Sequence, residues 1–329
     1  MIGRLFRKTW LLILLFTLVA GLYACIGDTV PGEKIKSSNT PHSVYLSPTN
    51  TIVEPETATP ENTRIPTGTR PVISAPTTKL TLEPSPTASY TTPPCWSSGG
   101  LVRSGKAPTH FLKESLDYRI YFPPCYDQQQ DRHYPVLYLF HGQGFSDDQW
   151  DRIGVDEKAD ELIAAGQISP VIIVMPHEIG SEQPTGSKFA QAIIKDFIPY
   201  IDATYRTLPD RTNRAVGGLS RGGGWAVHFG ISEWELFGAI GAHSPGVFRA
   251  DDLYLRKWLN AIPGDSYPRI YIDIGDRDLP EILDSATWFE QMLNVKDIPH
   301  EWHFFSGYHN EDYWRAHLDS YLRWYTQNW

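Results

Sequence analysis

The residues best placed to do chemistry are Gly217-Gly218-Leu219-Ser220-Arg221-Gly222-Gly223-Gly224. Gly218-x-Ser220-x-Gly222 follows the short β-like run Asn213–Val216 and precedes a helix-compatible run, Trp225–Gly230. A serine at such a strand-to-helix turn is held on a strained backbone. Only flanking residues without a Cβ let strand and helix approach that closely. The helix start turns free N–H groups and the positive end of its dipole toward an anion forming at the serine. This arrangement suits nucleophilic attack on a carbonyl, if the chain also supplies a base, a group to orient the base and oxyanion donors.

Each of these has candidates. Val136–Phe140 is strand-like and runs into His141-Gly142-Gln143-Gly144, a Gly-rich turn at a strand end. The residue after His-Gly is the natural donor, so the Gln143 amide is expected beside that of Arg221, with His141 supporting the loop. Ile270–Ile274 ends in Gly275-Asp276-Arg277-Asp278-Leu279, and both Asp276 and Asp278 qualify by spacing as the orienting acid, whereas Asp273 lies within the strand. For the base, His303 falls inside the strand-like run Trp302–Phe305, while His309 follows Gly307-Tyr308 in the loop before the last helix. A catalytic histidine sits more naturally on a loop at the strand ends, so His309 is preferred, and His228 and His243 are assigned structural roles.

The elements that must position these groups alternate along the chain. Strand-like runs are Tyr118–Phe122, Val136–Phe140, Val171–Met175, Ala215–Gly217, Ala239–Ala242, Ile270–Ile274 and Trp302–Phe305. Several are continuously apolar, as strands buried on both faces of a sheet should be. Phe189, Ile193, Phe197, Ile201 and Tyr205 recur every four residues and predict a helix with a kink near Pro199. Trp314, Leu318, Tyr321 and Tyr325 predict a C-terminal helix. Such alternation implies an α/β fold, a mostly parallel sheet with helices on both faces and a site at its strand ends.

Three regions divide the 329 residues. In 1–25, Arg4, Arg7 and Lys8 precede the almost wholly apolar run Trp10–Ala20, as in a secretion signal. Leu22-Tyr23-Ala24-Cys25 resembles a bacterial lipobox, which implies lipidation at Cys25; the competing expectation is an uncleaved membrane anchor. Either places the remainder outside the cell, tethered to the membrane. Residues 26–94 are dominated by Thr, Pro and Ser and cannot bury a core, so a disordered tether is expected. Residues 95–329 suit one α/β domain. With Cys25 lipidated, Cys95 and Cys125 remain as a pair that an exported protein can oxidise. Closing that loop stabilises the fold by roughly 3–4 kcal/mol in the chain-entropy model.

From Asp117 to the C-terminus the chain resembles the putative-esterase branch of the α/β-hydrolases. This branch holds feruloyl and acetyl-xylan esterases, S-formylglutathione hydrolases, enterochelin-esterase-like proteins and mycolyltransferases. The resemblance is carried by Pro135–Gly144 with Trp150 downstream, Asp196–Asp202, Gly218–Gly223, Gly275–Asp278, and Gly307-Tyr308-His309 with Tyr313-Trp314. It implies an α/β-hydrolase fold and a Ser220…Asp278…His309 order, the family's Gly-x-x-Asp pattern selecting Asp278 over Asp276. It also implies oxyanion donors at Gln143 and Arg221. Many members carry Met where this chain has Arg221, so the pocket entrance is expected to differ in charge.

The expectation that follows is an exported serine esterase needing no cofactor or metal. A net charge of −9 disfavours nucleic acid as a partner. Trp150, Trp225 and Trp314 are candidates to stack on sugar rings or aryl acyl groups, which favours short-chain, feruloyl or acetyl esters of saccharides over long-chain lipids. The alternatives are an acyltransferase on the same scaffold and a catalytically silent carbohydrate-binding protein at the cell surface.

Overall fold

A computed structural model describes residues 94–329 apart from residue 181. The expectations for 1–25, including lipidation at Cys25, and for all but the last residue of 26–94 lie outside the described residues.

The described chain builds one eight-stranded sheet. Its strands are β1 (Leu101–Ala107), β2 (Leu116–Phe122), β3 (Val136–Phe140), β4 (Ile172–Pro176), β5 (Arg214–Leu219), β6 (Ala239–His243), β7 (Arg269–Arg277) and β8 (Glu301–Tyr308). They lie in the order β1-β2-β4-β3-β5-β6-β7-β8. β1 pairs antiparallel with β2 and β2 antiparallel with β4, while every pair from β4 to β8 is parallel. The α/β-hydrolase architecture read from the sequence is therefore present.

Eight α-helices flank the strands: α1 (Gln149–Arg152), α2 (Val155–Ala164), α3 (Lys188–Ala192), α4 (Ile198–Thr204), α5 (Arg221–Ser232), α6 (Asp252–Ala261), α7 (Pro280–Val295) and α8 (Glu311–Thr326). Successive strand side chains point to opposite faces, and the core divides accordingly. Val136, Tyr138 and Phe140 join one buried cluster with Trp225 and Phe229 of α5, Leu255 of α6 and Phe289 of α7. Leu137 and Leu139 join the other, with Leu162 of α2 and Leu318, Tyr321 and Tyr325 of α8. β3, β4, β5 and β6 are buried along their whole length, which is why their sequences show no polar face.

The expected kink at Pro199 takes a specific form. A π-helical turn, Ile193–Phe197, joins α3 to α4, and Pro199 sits in the first turn of α4. Proline offers no N–H and crowds the carbonyl four residues back, and the wider turn accommodates both effects. Cys95 and Cys125 form a disulfide with their Cα atoms 5.0 Å apart.

Candidate active site

Ser220 stands between β5 and α5 with φ +56° and ψ −119°. A Cβ on Gly218 would lie 2.2 Å from the Gly222 backbone, and one on Gly222 would lie 2.1 Å from the Phe140 carbonyl oxygen. Any side chain at either position would push the turn apart, so the two glycines are what allow the serine to project. Helix α5 starts at Arg221, four residues earlier than the sequence suggested, because the glycines serve close packing rather than ending the helix. Ser220 is also tied to the sheet, its N–H donating to the His243 carbonyl at 2.9 Å.

His309 follows the last residue of β8 and precedes α8, where the Asn310 side chain caps the helix by accepting the Tyr313 N–H at 3.0 Å. Its Nε2 lies 2.8 Å from Ser220 Oγ. Its Nδ1 lies 2.7 Å from Oδ1 of Asp278, whose side chain is wholly shielded from solvent. That is an ion-pair distance at an oblique angle: Nδ1 and Asp278 Oδ2 make no regular hydrogen bond among the described residues. Such contacts commonly tighten only when substrate binds. The structure thus brings Ser220, His309 and Asp278 into one line. Asp276 points elsewhere, accepting the Gly307 N–H at 2.9 Å across the irregular pairing of β7 with β8.

Ser220 and His309 line an open cleft of about 830 Å³. Gly142 and Gln143 form part of its wall, and a Cβ on Gly142 would come within 3.6 Å of the Ser220 Cβ. The Gln143 and Arg221 N–H groups donate to no acceptor among the described residues, which leaves both free to meet an anion. Phe145, Leu219, Leu279, Ile282 and Trp314 give the cleft its apolar surface, and Glu281, Glu311 and Asp312 its acidic rim.

Two sequence expectations are corrected here. Trp150 and Trp225 are not substrate platforms, being 1% and 0% exposed. The Trp150 indole N–H donates to the Phe140 carbonyl at 2.9 Å, and Trp225 stacks on Phe229 with centroids 5.0 Å apart, so both are bound into the core. Nor does Arg221 place charge at the entrance: its guanidinium turns inward to the buried Glu178, with Nε 2.8 Å from Oε2. Trp314, the third tryptophan considered, does reach the cleft and packs edge-on against His309 at 5.0 Å.

Other contacts were not foreseen, although His243 was assigned a structural role. Gln149, fully buried, accepts the Gly142 N–H at 2.8 Å and donates to Glu311 at 3.1 Å, joining the Gly142–Gln143 turn to the helix behind His309. Beneath the serine lies a second His–Asp pair, with His243 Nδ1 2.6 Å from Asp273 Oδ1, both residues wholly buried. Tyr313 and Tyr321 donate to the other Asp273 oxygen at 2.7 and 2.8 Å. Burial, and then the Asp273 carboxylate, push both phenols far above their ordinary pKa, so they stay protonated donors. Neither residue lines the cleft, and the pair anchors α8 to the sheet. The pairing needs the register of β6 against β7, which places His243 beside Asp273 and which no local motif encodes.

Residues 109–325 match the model of the family described as Putative esterase. An endo-1,4-beta-xylanase/feruloyl esterase of Xylanibacter ruminicola is 33% identical, the match covering 51% of this chain and 24% of that protein. An esterase of Mycobacterium tuberculosis is 28% identical, covering 57% of this chain and 52% of that one. The chain therefore spans at most about half the length of either relative. Among solved structures, a ferulic acid esterase superposes with a TM-score of 0.63 at 26% identity, over 70% of this chain and 98% of that one.

Proposed function

The chain belongs to the Putative esterase family, and from that membership and the geometry of the cleft we propose that it is a serine carboxylic-ester hydrolase. The observation that carries this reading is His309 Nε2 at 2.8 Å from Ser220 Oγ on the wall of an open cleft. His309 takes the hydroxyl proton as Oγ attacks the ester carbonyl. The tetrahedral oxyanion is held by the Gln143 and Arg221 N–H groups. Collapse expels the alcohol, which leaves with the proton from His309, and the acyl group stays on Ser220. Water then attacks the acyl-enzyme, giving its proton to His309, and the acid departs with Ser220 restored. Asp278 holds the imidazole in the tautomer that the first step needs and steadies the imidazolium that forms.

For the substrate we propose short-chain or aryl esters of saccharides. The names of the similar feruloyl and ferulic acid esterases support this, as does an open cleft with Phe145 and Trp314 on its walls. Aromatic rings of this kind can stack on aryl acyl groups or sugar faces. The basic head and apolar run before Cys25 support export and a membrane tether, and a disulfide at Cys95–Cys125 suits an oxidising compartment. A fluorophosphonate probe should label the wild-type protein, and methyl ferulate and short p-nitrophenyl esters should be turned over. Ser220→Ala should abolish both. Equal labelling of wild type and variant would falsify the assignment of the nucleophile.

A further inference from the structure

Two peptide groups from distant parts of the chain must point at one spot if the Ser220 site is to hold an oxyanion. The Gln143 N–H belongs to the Gly142–Gln143 peptide, and in a trans peptide N–H and C=O point in opposite directions. Whatever fixes the Gly142 carbonyl therefore aims the Gln143 N–H. That carbonyl is 2.8 Å from His141 Nδ1 and accepts the Phe145 N–H at 3.2 Å. A neutral imidazole carries one N–H, so Nδ1 can donate only while Nε2 is bare. Nε2 is kept bare by accepting the Glu178 N–H at 2.9 Å, and burial lowers the His141 pKa and keeps the ring neutral.

Glu178, just beyond β4, also faces the other donor. Its carboxylate receives Arg221 Nε at 2.8 Å and Nη2 at 2.5 Å, and Nη2 further donates to the Glu182 carbonyl at 2.6 Å. The guanidinium lies 4.9 Å from the centroid of the Phe248 ring. Both partners are buried, Glu178 at 6% and Arg221 at 8% exposure. An ion pair taken this far out of water is a weak source of stability. Its position between the two oxyanion residues offers it a different use.

We propose that Glu178 is a positioning residue that fixes both oxyanion donors: its main-chain N–H aims the Gln143 N–H through His141, and its carboxylate aims the Arg221 N–H through the arginine's own side chain. The proposal rests on the hydrolase reading of the cleft. Its test uses Glu178→Gln/Arg221→Met, which leaves no buried charge unpaired, and Glu178→Asp, which keeps the charges but shortens the reach. Both variants should fold. Each should lower kcat on a p-nitrophenyl ester by about tenfold to a hundredfold, leave KM within about twofold and weaken phenylboronic acid, a mimic of the tetrahedral adduct, in step with kcat. His141→Leu should show the same signature. His141→Asn, which sets an amide N–H where Nδ1–H stood and needs no tautomer selection, should recover most of the loss.

Hydrogen exchange at the Phe145 and Gly246 amides, which donate to the carbonyls of the Gly142–Gln143 and Ser220–Arg221 peptides, reads the brace without turnover when measured in Ser220→Ala: Phe145 should quicken with His141→Leu and Gly246 with the double substitution. A folded variant at Glu178 with wild-type kcat, wild-type boronate affinity and unchanged exchange overturns the proposal. Hydrolysis that survives Ser220→Ala overturns the Ser220 reading of the cleft instead, and with it the positioning role.

Discussion

Asp276 and Asp278 stand two residues apart in one loop, yet their surroundings give them different work. Asp276 has a side chain 40% exposed and is held below the usual carboxylate pKa first of all by the Gly307 N–H it accepts. Its contact keeps β8 in register just ahead of His309. Asp278 is shielded, accepts the Leu279 N–H at 2.7 Å and faces His309 Nδ1. Only an acid at that nitrogen can select the tautomer that leaves Nε2 free to take the serine proton. Asp278→Asn should therefore lower kcat by about 10³–10⁴-fold with the fold intact. Asp276→Asn should cost about tenfold at most, through a loosened loop. Steady-state kinetics on the two purified variants, with circular dichroism to check folding, give the ranking; the reverse order would move the orienting role to Asp276.

Helix α2 carries a local conflict that its sequence conceals. Asp156 lies in its first turn, where the helix dipole favours an anion. Burial, and then a hydrogen bond with Glu157, nevertheless raise its pKa from 3.8 to about 7. Between those two values the folded chain holds a proton that the unfolded chain has lost, so stability falls as pH rises through that window. Asp156→Asn should raise Tm at about pH 8 and leave it unchanged near pH 3, below both values. A gain of equal size at both pH values would assign the effect to something other than charge.

The same contrast between local pattern and tertiary setting decides what could be read in advance. Val136–Phe140 was legible to the residue because a short apolar run bounded by turn residues has one good use in an α/β chain. β1 was not: six of its seven residues are not buried enough to demand apolar side chains, and its strand character comes from pairing with β2. Ser220, Asp278 and His309 were legible because each follows a recognisable strand on one edge of the sheet. Glu178 was not, although an arginine at a buried helix start calls for a carboxylate nearby. Trp150 and Trp225 were misread because nearness in sequence to a loop or an elbow does not say which way an indole faces.

At the scale of the molecule, the disulfide ties residue 95, near the start of the described residues, to a turn after β2, closing a loop with a sequence separation of 30. Neither cysteine lines the cleft. The double variant Cys95→Ser/Cys125→Ser should lose about 3 kcal/mol of stability in denaturant melts and keep its kcat at 25 °C; an equal loss of turnover would mean that the clamp reaches the site. Charge acts over a longer range. The chain carries a net −9, and the cleft repeats that sign at its rim. Glu311 is neutralised by Arg152, and Asp312 pairs with Arg315 at 2.7 Å, but Glu281 in the first turn of α7 forms no salt bridge among the described residues. An ester that brings its own carboxylate should be repelled on approach, whereas a neutral feruloyl or acetyl ester should not. Anionic thioesters, a glutathione conjugate among them, should be disfavoured for the same reason. Comparing p-nitrophenyl hemisuccinate with p-nitrophenyl butyrate tests the point at nearly constant size. From about 0.01 to 1 M salt the screening length falls from about 30 to 3 Å. Over that range kcat/KM for the hemisuccinate should climb several-fold while that for the butyrate stays level, and Glu281→Gln should flatten the climb. A cleft that prefers the anion, or a salt response shared by both esters, would show that the acidic rim does not govern which esters reach Ser220.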